Sequence, residues 1–230
     1  MKRSRPDRGG EVAPRERLVL VTGFERFGDE VMNPSQEVAR QLHGTAVGRH
    51  HRVVAGLLPC VFKDSRRELE HLLRRHRPEI VICLGLAAGR SEITPERVAI
   101  NIDDARIPDN AGWAPVDRPV VRGGPAAYWS TLPCKAIVAA LRSRGIPSAV
   151  SQTAGTFVCN HVFYGLMHAI AGRDGARAMR GGFIHLPCMR IPGEKRPSLP
   201  LATLVEGIRA AVETAVIARR DVRAPGGAIS

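Results

Sequence analysis

A single cysteine lies where the chain changes from small, turn-forming residues to an apolar, helix-like run. Residues 151–161 read SQTAGTFVCNH, and Cys159 falls near the predicted start of a helix. A thiol in a first helical turn faces the positive end of the helix dipole and unpaired N–H groups, which favour the thiolate and can hold an oxyanion. Because most free cysteines are inert core residues, position alone leaves both a buried thiol and a nucleophile open.

A cysteine nucleophile needs an imidazole base that a carboxylate or an amide orients. His161 lies two residues after Cys159, which in a helix points it away from the thiol, and His168 lies two turns further on. His185 ends the predicted strand GGFIH and is the best-placed candidate, since sites gather at the carboxyl ends of parallel strands. Taken singly, each histidine is more often structural than catalytic.

The candidate carboxylate lies in the segment GLAAGRSEITPERVAINIDDARIPDN, residues 85–110. Gly85 and Gly89 permit close backbone approach, but the segment is not GxGxxG and does not lead into a helix. The phosphate-binding pattern GxxxxGK[ST] is absent from the chain. Glu96 is followed by Arg97, so spacing alone predicts a surface carboxylate paired with an arginine.

Cysteine usage argues against a metal centre. The five cysteines are odd in number and include no CxxC pair, which argues against a disulfide framework and against a thiolate zinc site. A site built from Cys159, His161 and His168 would lack a supporting carboxylate or cysteine cluster. We therefore expect free thiols in a reducing compartment and no metal.

The elements that must position these side chains alternate along the chain. Apolar runs predict buried strands at 18–23, 52–59, 79–86, 148–152 and 181–187, with an alternating edge strand at 96–102. Helical spacing and caps predict helices at 33–44, 62–76, 134–145 and 201–220, besides the one after Cys159. The alternation predicts one three-layer α/β/α domain with a mainly parallel, open twisted sheet.

We expect this domain to span residues 17–220, between a basic, disordered tail at 1–16 and a C-terminal tail at 221–230. The N-terminus lacks the apolar core of a secretory signal, and no run approaches the length of a membrane span, so a cytoplasmic location and no membrane partner are expected. The net charge of +12 raises a nucleic-acid partner as an alternative. Because the arginines are scattered among glutamates, a solvated surface is favoured over that alternative.

Four segments resemble the pyroglutamyl peptidase type I family, also called pyrrolidone-carboxyl peptidases. They are VTGFERFG with the following NPS, the 85–110 segment, SQTAGTFVCNHVFYGLMH and GGFIHLP, which occur in family order. The resemblance implies a cysteine peptidase that removes an N-terminal pyroglutamyl residue from peptides through a thioester. It also implies an open α/β/α fold, no cofactor, and commonly a cytosolic homotetramer.

The resemblance assigns roles motif by motif. Cys159 corresponds to the nucleophile, His185 to the general base and later acid, and Glu96 to the carboxylate that orients the imidazole. Arg106 of DDARIPDN looks like the family's arginine that helps to polarise the carbonyl.

The same motifs imply a pocket for the lactam ring. Phe24, Phe27 and Phe157 look like its aromatic walls, and Asn33 is similar to an asparagine that lines it. Pyroglutamate is a compact neutral ring, so apolar side chains can cover its faces while a few polar groups bind its amide edge.

One residue departs from the family pattern. Leu86 stands where the family motif GQAGGR has glutamine, and Ala88 stands where glycine is usual. Leucine cannot supply the glutamine's hydrogen bond, and leaving a buried polar group without a partner costs about 1–3 kcal/mol. A non-catalytic or re-purposed homologue that binds another ligand therefore stays open as an alternative to an active peptidase.

Overall fold

Strands and helices alternate in the computed structural model, which describes residues 16–28, 30, 32–172, 179–193 and 195–227. The strands are β1 (Arg17–Phe24), β2 (Ala46–Val47), β3 (His51–Leu58), β4 (Ile80–Leu86), β5 (Thr94–Pro95), β6 (Val98–Ile100), β7 (Ala127–Trp129), β8 (Arg180–Leu186), β9 (Cys188–Met189) and β10 (Ser198–Leu199). The helices are α1 (Pro34–Leu42), α2 (Phe62–His76), α3 (Cys134–Arg142), α4 (Val158–Ala171) and α5 (Leu201–Ile217). The predicted tail at 1–16 lies almost wholly outside the described residues.

The main sheet has six strands in the order β2-β3-β1-β4-β8-β5. Its four central strands are parallel, and the short edge strands β2 and β5 run antiparallel to their neighbours. β8 lies between β4 and β5 although it follows both in sequence. The predicted mainly parallel, open sheet is confirmed.

Alternation along the central strands builds two apolar layers. In β1, Val19 and Val21 belong to the core on one face, and Leu20 and Phe24 belong to the core on the other. Helices α1, α3 and α5 cover the first face, while α2 and α4 cover the second. The three-layer architecture follows, because both faces of the sheet must be shielded from water.

The start of α1 matches its sequence signals. Asn33 is the cap, and its Oδ1 accepts a hydrogen bond from the N–H of Ser35 at 3.1 Å. Pro34 occupies the first helical position, where its missing N–H costs nothing. This cap fixes the start of α1 and the position of Asn33, which lines the site described below.

Residues 148–152 do not form the predicted strand. The segment makes only isolated parallel bridges, from Ser148 to Ile93 and from Ser151 to Glu96. Pro95, between these bridges, has no N–H to donate, so a continuous ladder cannot form. The predicted edge strand at 96–102 is likewise shorter than expected.

That shorter strand, β6, pairs antiparallel with β7 in a small separate sheet and not with the main sheet. β7 itself lies inside residues 103–130, where the sequence analysis predicts neither a strand nor a helix. Three-residue strands give too little alternation to be distinguished from loop by pattern.

The segment after α5 packs back on the domain. Asp221 accepts hydrogen bonds from the backbone N–H groups of Lys135 and Ala136 at 3.1 and 2.9 Å, and so caps α3. Residues 228–230 of the predicted C-terminal tail lie outside the described part. No helix in the described ranges combines the length and the apolar character that a membrane crossing requires.

Candidate active site

Cys159 is the second residue of α4, on the helix that covers one face of the sheet. A turn leads into it: Gly155 has a φ of 76°, and Thr156 donates its hydroxyl to the carbonyl of Asp104 at 2.6 Å. No side chain caps the helix at Phe157. The N–H groups of the first turn therefore lack intrahelical partners and present the positive end of the helix dipole beside the sulfur.

Glu96 and His185 form a buried hydrogen-bonded pair. Nδ1 of His185 lies 2.7 Å from Oε1 of Glu96, and the two residues are 4% and 0% exposed. An ionised carboxylate only accepts, so Nδ1 carries the proton and donates it, which leaves Nε2 as the basic nitrogen. The neighbouring strands β5 and β8 hold the pair, since Glu96 follows directly after β5 and its N–H donates to the carbonyl of Phe183.

Gly85 brings the thiol and the imidazole to one place. It pairs with His185 in the β4–β8 register, and a Cβ added to it would lie 2.9 Å from Sγ of Cys159. Neighbouring strands are about 4.8 Å apart, and paired residues of parallel strands project to the same face. The thiol over Gly85 and the ring of His185 therefore share one face at adjacent strand positions.

A cavity of about 700 Å³ opens in front of the thiol. Its wall includes seven residues that the sequence singled out: Phe24, Phe27, Asn33, Leu86, Arg106, Phe157 and Cys159. The rings of Phe27 and Phe157 are 5.1 Å apart, and Phe62 packs edge-on against Phe157 at 5.2 Å. His185 and Glu96 are not part of this wall, so the cavity meets the thiol and not the buried pair.

Two wall residues have contrasting hydrogen bonding. The side-chain amide of Asn33 is hydrogen-bonded within the protein, since Nδ2 donates to the carbonyl of Glu25 and Oδ1 accepts from Ser35. Asn33 thus shapes the wall more than it offers polar atoms to a ligand. Arg106 is exposed, and within the described residues its guanidinium has no hydrogen-bond or ion-pair partner, which leaves it available to a ligand.

Burial sets the protonation of the reacting groups. Desolvation raises the pKa of the Cys159 thiol above its ordinary value, and the nearby Cys60 and Glu96 act in the same direction. Burial also lowers the pKa of His185, against the opposing effect of its hydrogen bond to Glu96. These effects of burial favour a thiol beside a neutral imidazole, and they act against the helix start, which favours the thiolate.

Glu96 is not the surface carboxylate that its spacing suggests. Arg97, its neighbour in sequence, places its guanidinium 5.6 Å from the ring centre of Trp129 instead. The arginine that binds Glu96 is Arg90, whose Nη1 lies 2.6 Å from Oε1. Sequence reasoning missed Arg90, although it stands in the GLAAGR motif, because a contact across six residues of irregular chain has no periodic signal.

The other histidines near Cys159 have partners elsewhere. Nδ1 of His161 lies 2.8 Å from Oδ2 of Asp103, and Nδ1 of His168 lies 2.8 Å from the hydroxyl of Tyr128. Across the described ranges, no three His, Cys, Asp or Glu side chains cluster as metal ligands would. All five cysteines are free thiols.

Comparison with known proteins agrees with the four resembling segments. A family model described as pyroglutamyl peptidase matches residues 17–218. A pyrrolidone-carboxylate peptidase of Cupriavidus taiwanensis is 56% identical over 214 residues, covering 91% of this chain and 97% of that protein. The corresponding enzyme of Bacillus cytotoxicus is 49% identical over 214 residues, covering 92% and 98%.

Solved structures give the same result. The crystal structure of pyroglutamyl peptidase I from Bacillus amyloliquefaciens has a TM-score of 0.86 at 47% identity, covering 90% of this chain and all of that one. Pyrrolidone carboxyl peptidase from Thermococcus litoralis has a TM-score of 0.85 at 37% identity, covering 91% and 99%. By sequence and by fold, the chain belongs to the pyroglutamyl peptidase family.

Proposed function

We propose that this chain is a cysteine peptidase that removes an N-terminal pyroglutamyl residue from peptides. The observation that carries the proposal is the position of the Cys159 thiol. It lies over Gly85, next to the buried His185–Glu96 pair, and it opens into an aromatic-walled cavity. The names of the relatives support the substrate class.

The cavity suits a small lactam. Phe24, Phe27 and Phe157 supply apolar surface for the two faces of the ring. Leu86 adds a further apolar contact and offers no hydrogen bond, so the amide edge relies on backbone groups and on water. We therefore expect binding to depend on burial of the ring more than on side-chain polarity.

In the acylation half-reaction, Sγ of Cys159 attacks the carbonyl carbon of the peptide bond that follows the pyroglutamyl ring, while Nε2 of His185 takes the thiol proton. Negative charge collects on the carbonyl oxygen, which the first-turn N–H groups of α4 and the guanidinium of Arg106 stabilise. The C–N bond then breaks, and the imidazolium gives its proton to the leaving nitrogen. A thioester and a shortened peptide with a free amino group result.

In the deacylation half-reaction, His185 takes a proton from water, and the hydroxide attacks the thioester carbonyl. The C–S bond breaks, the sulfur regains a proton from the imidazolium, and free pyroglutamate leaves. Glu96 keeps its hydrogen bond to Nδ1 throughout and offsets the charge of each transient imidazolium. No cofactor enters either half-reaction as proposed.

We also propose a cytoplasmic homo-oligomer, following the family resemblance. Large apolar side chains that a partner copy could cover are exposed, among them Trp129 and Ile217 at 68% and 82%. The mass in solution, measured by light scattering, tests the assembly.

Hydrolysis of a fluorogenic pyroglutamyl amide tests the activity. Cys159→Ser should lower kcat/KM by about a thousandfold or more, since serine is a far weaker nucleophile without a stronger base. Cys60→Ser is the matched control. It removes a second thiol from the same cavity wall, but the thiol placed over Gly85, the strand partner of His185, is that of Cys159, so turnover should stay within about tenfold.

Two results would count against the proposal. Equal turnover by Cys159→Ser and the wild type would remove Cys159 from the chemistry. An inert wild type that gains activity on Leu86→Gln would favour the alternative, a homologue whose cavity has changed its ligand.

A further inference from the structure

Arg90 joins three parts of the site through one guanidinium. It lies in the loop between β4 and β5, where Nη1 is 2.6 Å from Oε1 of Glu96 and 2.5 Å from Oγ1 of Thr94. Nη2 donates to the carbonyl of Thr153 at 2.9 Å. The side chain is 29% exposed, so water weakens these charges only in part.

The carboxylate of Glu96 depends on this cation. Glu96 is fully buried, and its Oε1 accepts hydrogen bonds from both Arg90 and His185. Among the described residues, its Oε2 has no hydrogen-bond partner. A buried carboxylate without compensation would take up a proton. In the described part of the chain, Arg90 is the permanently charged group in contact with it.

The protonation of Glu96 decides which nitrogen of His185 is basic. While Glu96 is ionised, it accepts from Nδ1, and Nε2 has the free lone pair that abstraction of the thiol proton needs. A protonated Glu96 would donate to Nδ1 instead, and the ring proton would move to Nε2. The imidazole would then be unable to accept a proton from Cys159.

The hydrogen bond from Arg90 to the carbonyl of Thr153 reaches the segment that precedes Cys159. Thr153 precedes the turn at Gly155, and its carbonyl also accepts from the hydroxyl of Ser151. Arg90 therefore links the strand end that carries Glu96 to the turn that sets the start of α4.

The geometry points to Arg90 as a positioning residue that keeps Glu96 ionised, so that His185 holds its proton on Nδ1, and that fixes the turn before Cys159. This inference rests on the proposed function only in its kinetic consequences. Arg90 does not line the cavity and is assigned no contact with substrate.

The titratable groups around this cluster come from every element packed against it. Arg90 contacts the Glu96–His185 pair directly. The other titratable groups nearby are four cysteines: Cys159 from α4, Cys83 from β4, Cys60 before α2 and Cys134 from α3. Arg90 opposes the protonation of His185 by its positive charge, in addition to the larger effect of burial. Removing Arg90 therefore takes away a charge that opposes protonation of His185.

Three variants separate charge from geometry. Arg90→Gln removes the cation and keeps a hydrogen-bond donor, and Arg90→Lys keeps a cation without the planar fork. Arg142→Gln is the matched control, because Arg142 also donates to a backbone carbonyl, that of Ser148 at 2.9 Å, but contacts neither Glu96 nor Thr153. Each is measured for kcat/KM against pH on the pyroglutamyl amide.

We expect the acidic limb of the Arg90→Gln profile to move to higher pH, with kcat lower by about tenfold to a hundredfold near neutrality and KM little changed. Arg90→Lys should restore the position of the limb while kcat stays below that of the wild type. Arg142→Gln should match the wild type in both respects. A uniform loss at every pH in Arg90→Gln would indicate a merely structural role and overturn the inference.

A measurement without substrate keeps this result apart from the proposed function. Nitrogen-15 spectra of labelled histidine, assigned with His185→Gln, report which ring nitrogen carries the proton. The wild type and Arg90→Lys should show the Nδ1–H form, and Arg90→Gln should show a rise in the Nε2–H form. Unchanged ring signals in a folded Arg90→Gln would overturn the inference even if the wild type proved inert on the amide.

Discussion

Two buried histidine–carboxylate pairs lie in this molecule, and their geometry is nearly the same. The first pair, Glu96–His185, has a closest approach of 2.7 Å, and the second pair, Asp103–His161, has one of 2.8 Å. In each pair, Nδ1 faces a carboxylate oxygen, and both partners are at least 92% buried in their side chains. Distance and burial alone would assign both pairs the same chemistry.

Their surroundings differ. The first pair has a guanidinium on its carboxylate and a thiol over the neighbouring strand position. The second has the edge-on ring of Phe62, 5.5 Å from the ring of His161. Nε2 of His161 and Oδ1 of Asp103 have no hydrogen-bond partner in the part of the chain that the structure describes. Asp103 also exchanges two backbone hydrogen bonds with Arg118.

The second pair therefore fixes the long loop after β6 to α4. Although it lies beside a cavity of about 640 Å³, that cavity's wall contains no thiol. Under the proposed function, the comparison implies that a histidine–carboxylate pair serves catalysis when a nucleophile and a compensating charge lie beside it. The three predictions below test this difference.

The largest expected contrast is between His185→Gln and His161→Gln. Loss of the proposed base should lower kcat by about a hundredfold to ten-thousandfold. His161→Gln should leave kcat within about threefold and instead lower the free energy of unfolding by about 1–3 kcal/mol, because Asp103 loses its buried partner. Turnover on the pyroglutamyl amide and urea denaturation measure the two effects.

The reverse outcome, a catalytic loss confined to His161→Gln, would mean that the second pair serves the thiol. Equal losses of activity in both variants, with both folded, would remove the distinction between the pairs.

An intermediate effect is expected from Gly85→Ala. Its Cβ would lie 2.9 Å from Sγ of Cys159 and 2.7 Å from Cζ of Phe183, so the thiol, the ring or the strand must move. A displacement of about 1 Å at a reacting atom can cost about a hundredfold in rate, so we expect a tenfold to hundredfold loss in kcat. Steady-state kinetics and a thermal melt measure the change.

Gly165→Ala is the control beside the second pair's cavity. Its Cβ would meet only the flexible side chain of Arg66, at 2.9 Å from Cδ, and alanine favours the helix. Activity should be unchanged. A loss equal to that of Gly85→Ala would show that general disturbance of the packing, and not the placement of the thiol, explains both.

The smallest effect concerns pH and the protonation of His185 in the first pair. Burial lowers the pKa of His185 below its ordinary 6.5, so the folded protein resists protonation more than the unfolded chain does. The resulting stabilisation is complete above pH 6.5 and is lost as the pH falls through the lowered pKa.

Between about pH 7 and about pH 5, the melting temperature of the wild type should fall more than that of His185→Gln, by a few degrees at most. Calorimetric melts at matched ionic strength measure the difference. Parallel curves for the two proteins would contradict the lowered pKa.

The sequence predicts the parts of this arrangement that have a local signal. A thiol after turn-forming residues and before an apolar run marks the start of α4, and a histidine at the end of an apolar run marks the carboxyl edge of β8. The cap at Asn33 is equally local. Periodicity also predicts the layers, since residues of β1 alternate between the two cores.

What the sequence does not predict depends on contacts between distant segments. The burial of Glu96 follows from β5 pairing with β8, some ninety residues further along the chain. The contact of Arg90 follows from an irregular loop, and the missing ladder at 148–152 follows from one proline in its partner. The raised pKa of the Cys159 thiol reflects the whole surrounding core, which no single segment shows.

The insertion of β8 between β4 and β5 determines when the protein can first become active during its synthesis. A ribosome makes β4, β5 and α4 before β8, so the emerging chain holds the Cys159 thiol before the proposed base, His185, has been made. Within the described residues, β8 is the strand that pairs with β5 in the main sheet, so the His185–Glu96 contact also forms only after β8 is made. Under the proposed mechanism, activity therefore requires most of the domain to be translated, and we expect a nascent chain stalled before β8 to be inert towards pyroglutamyl peptides.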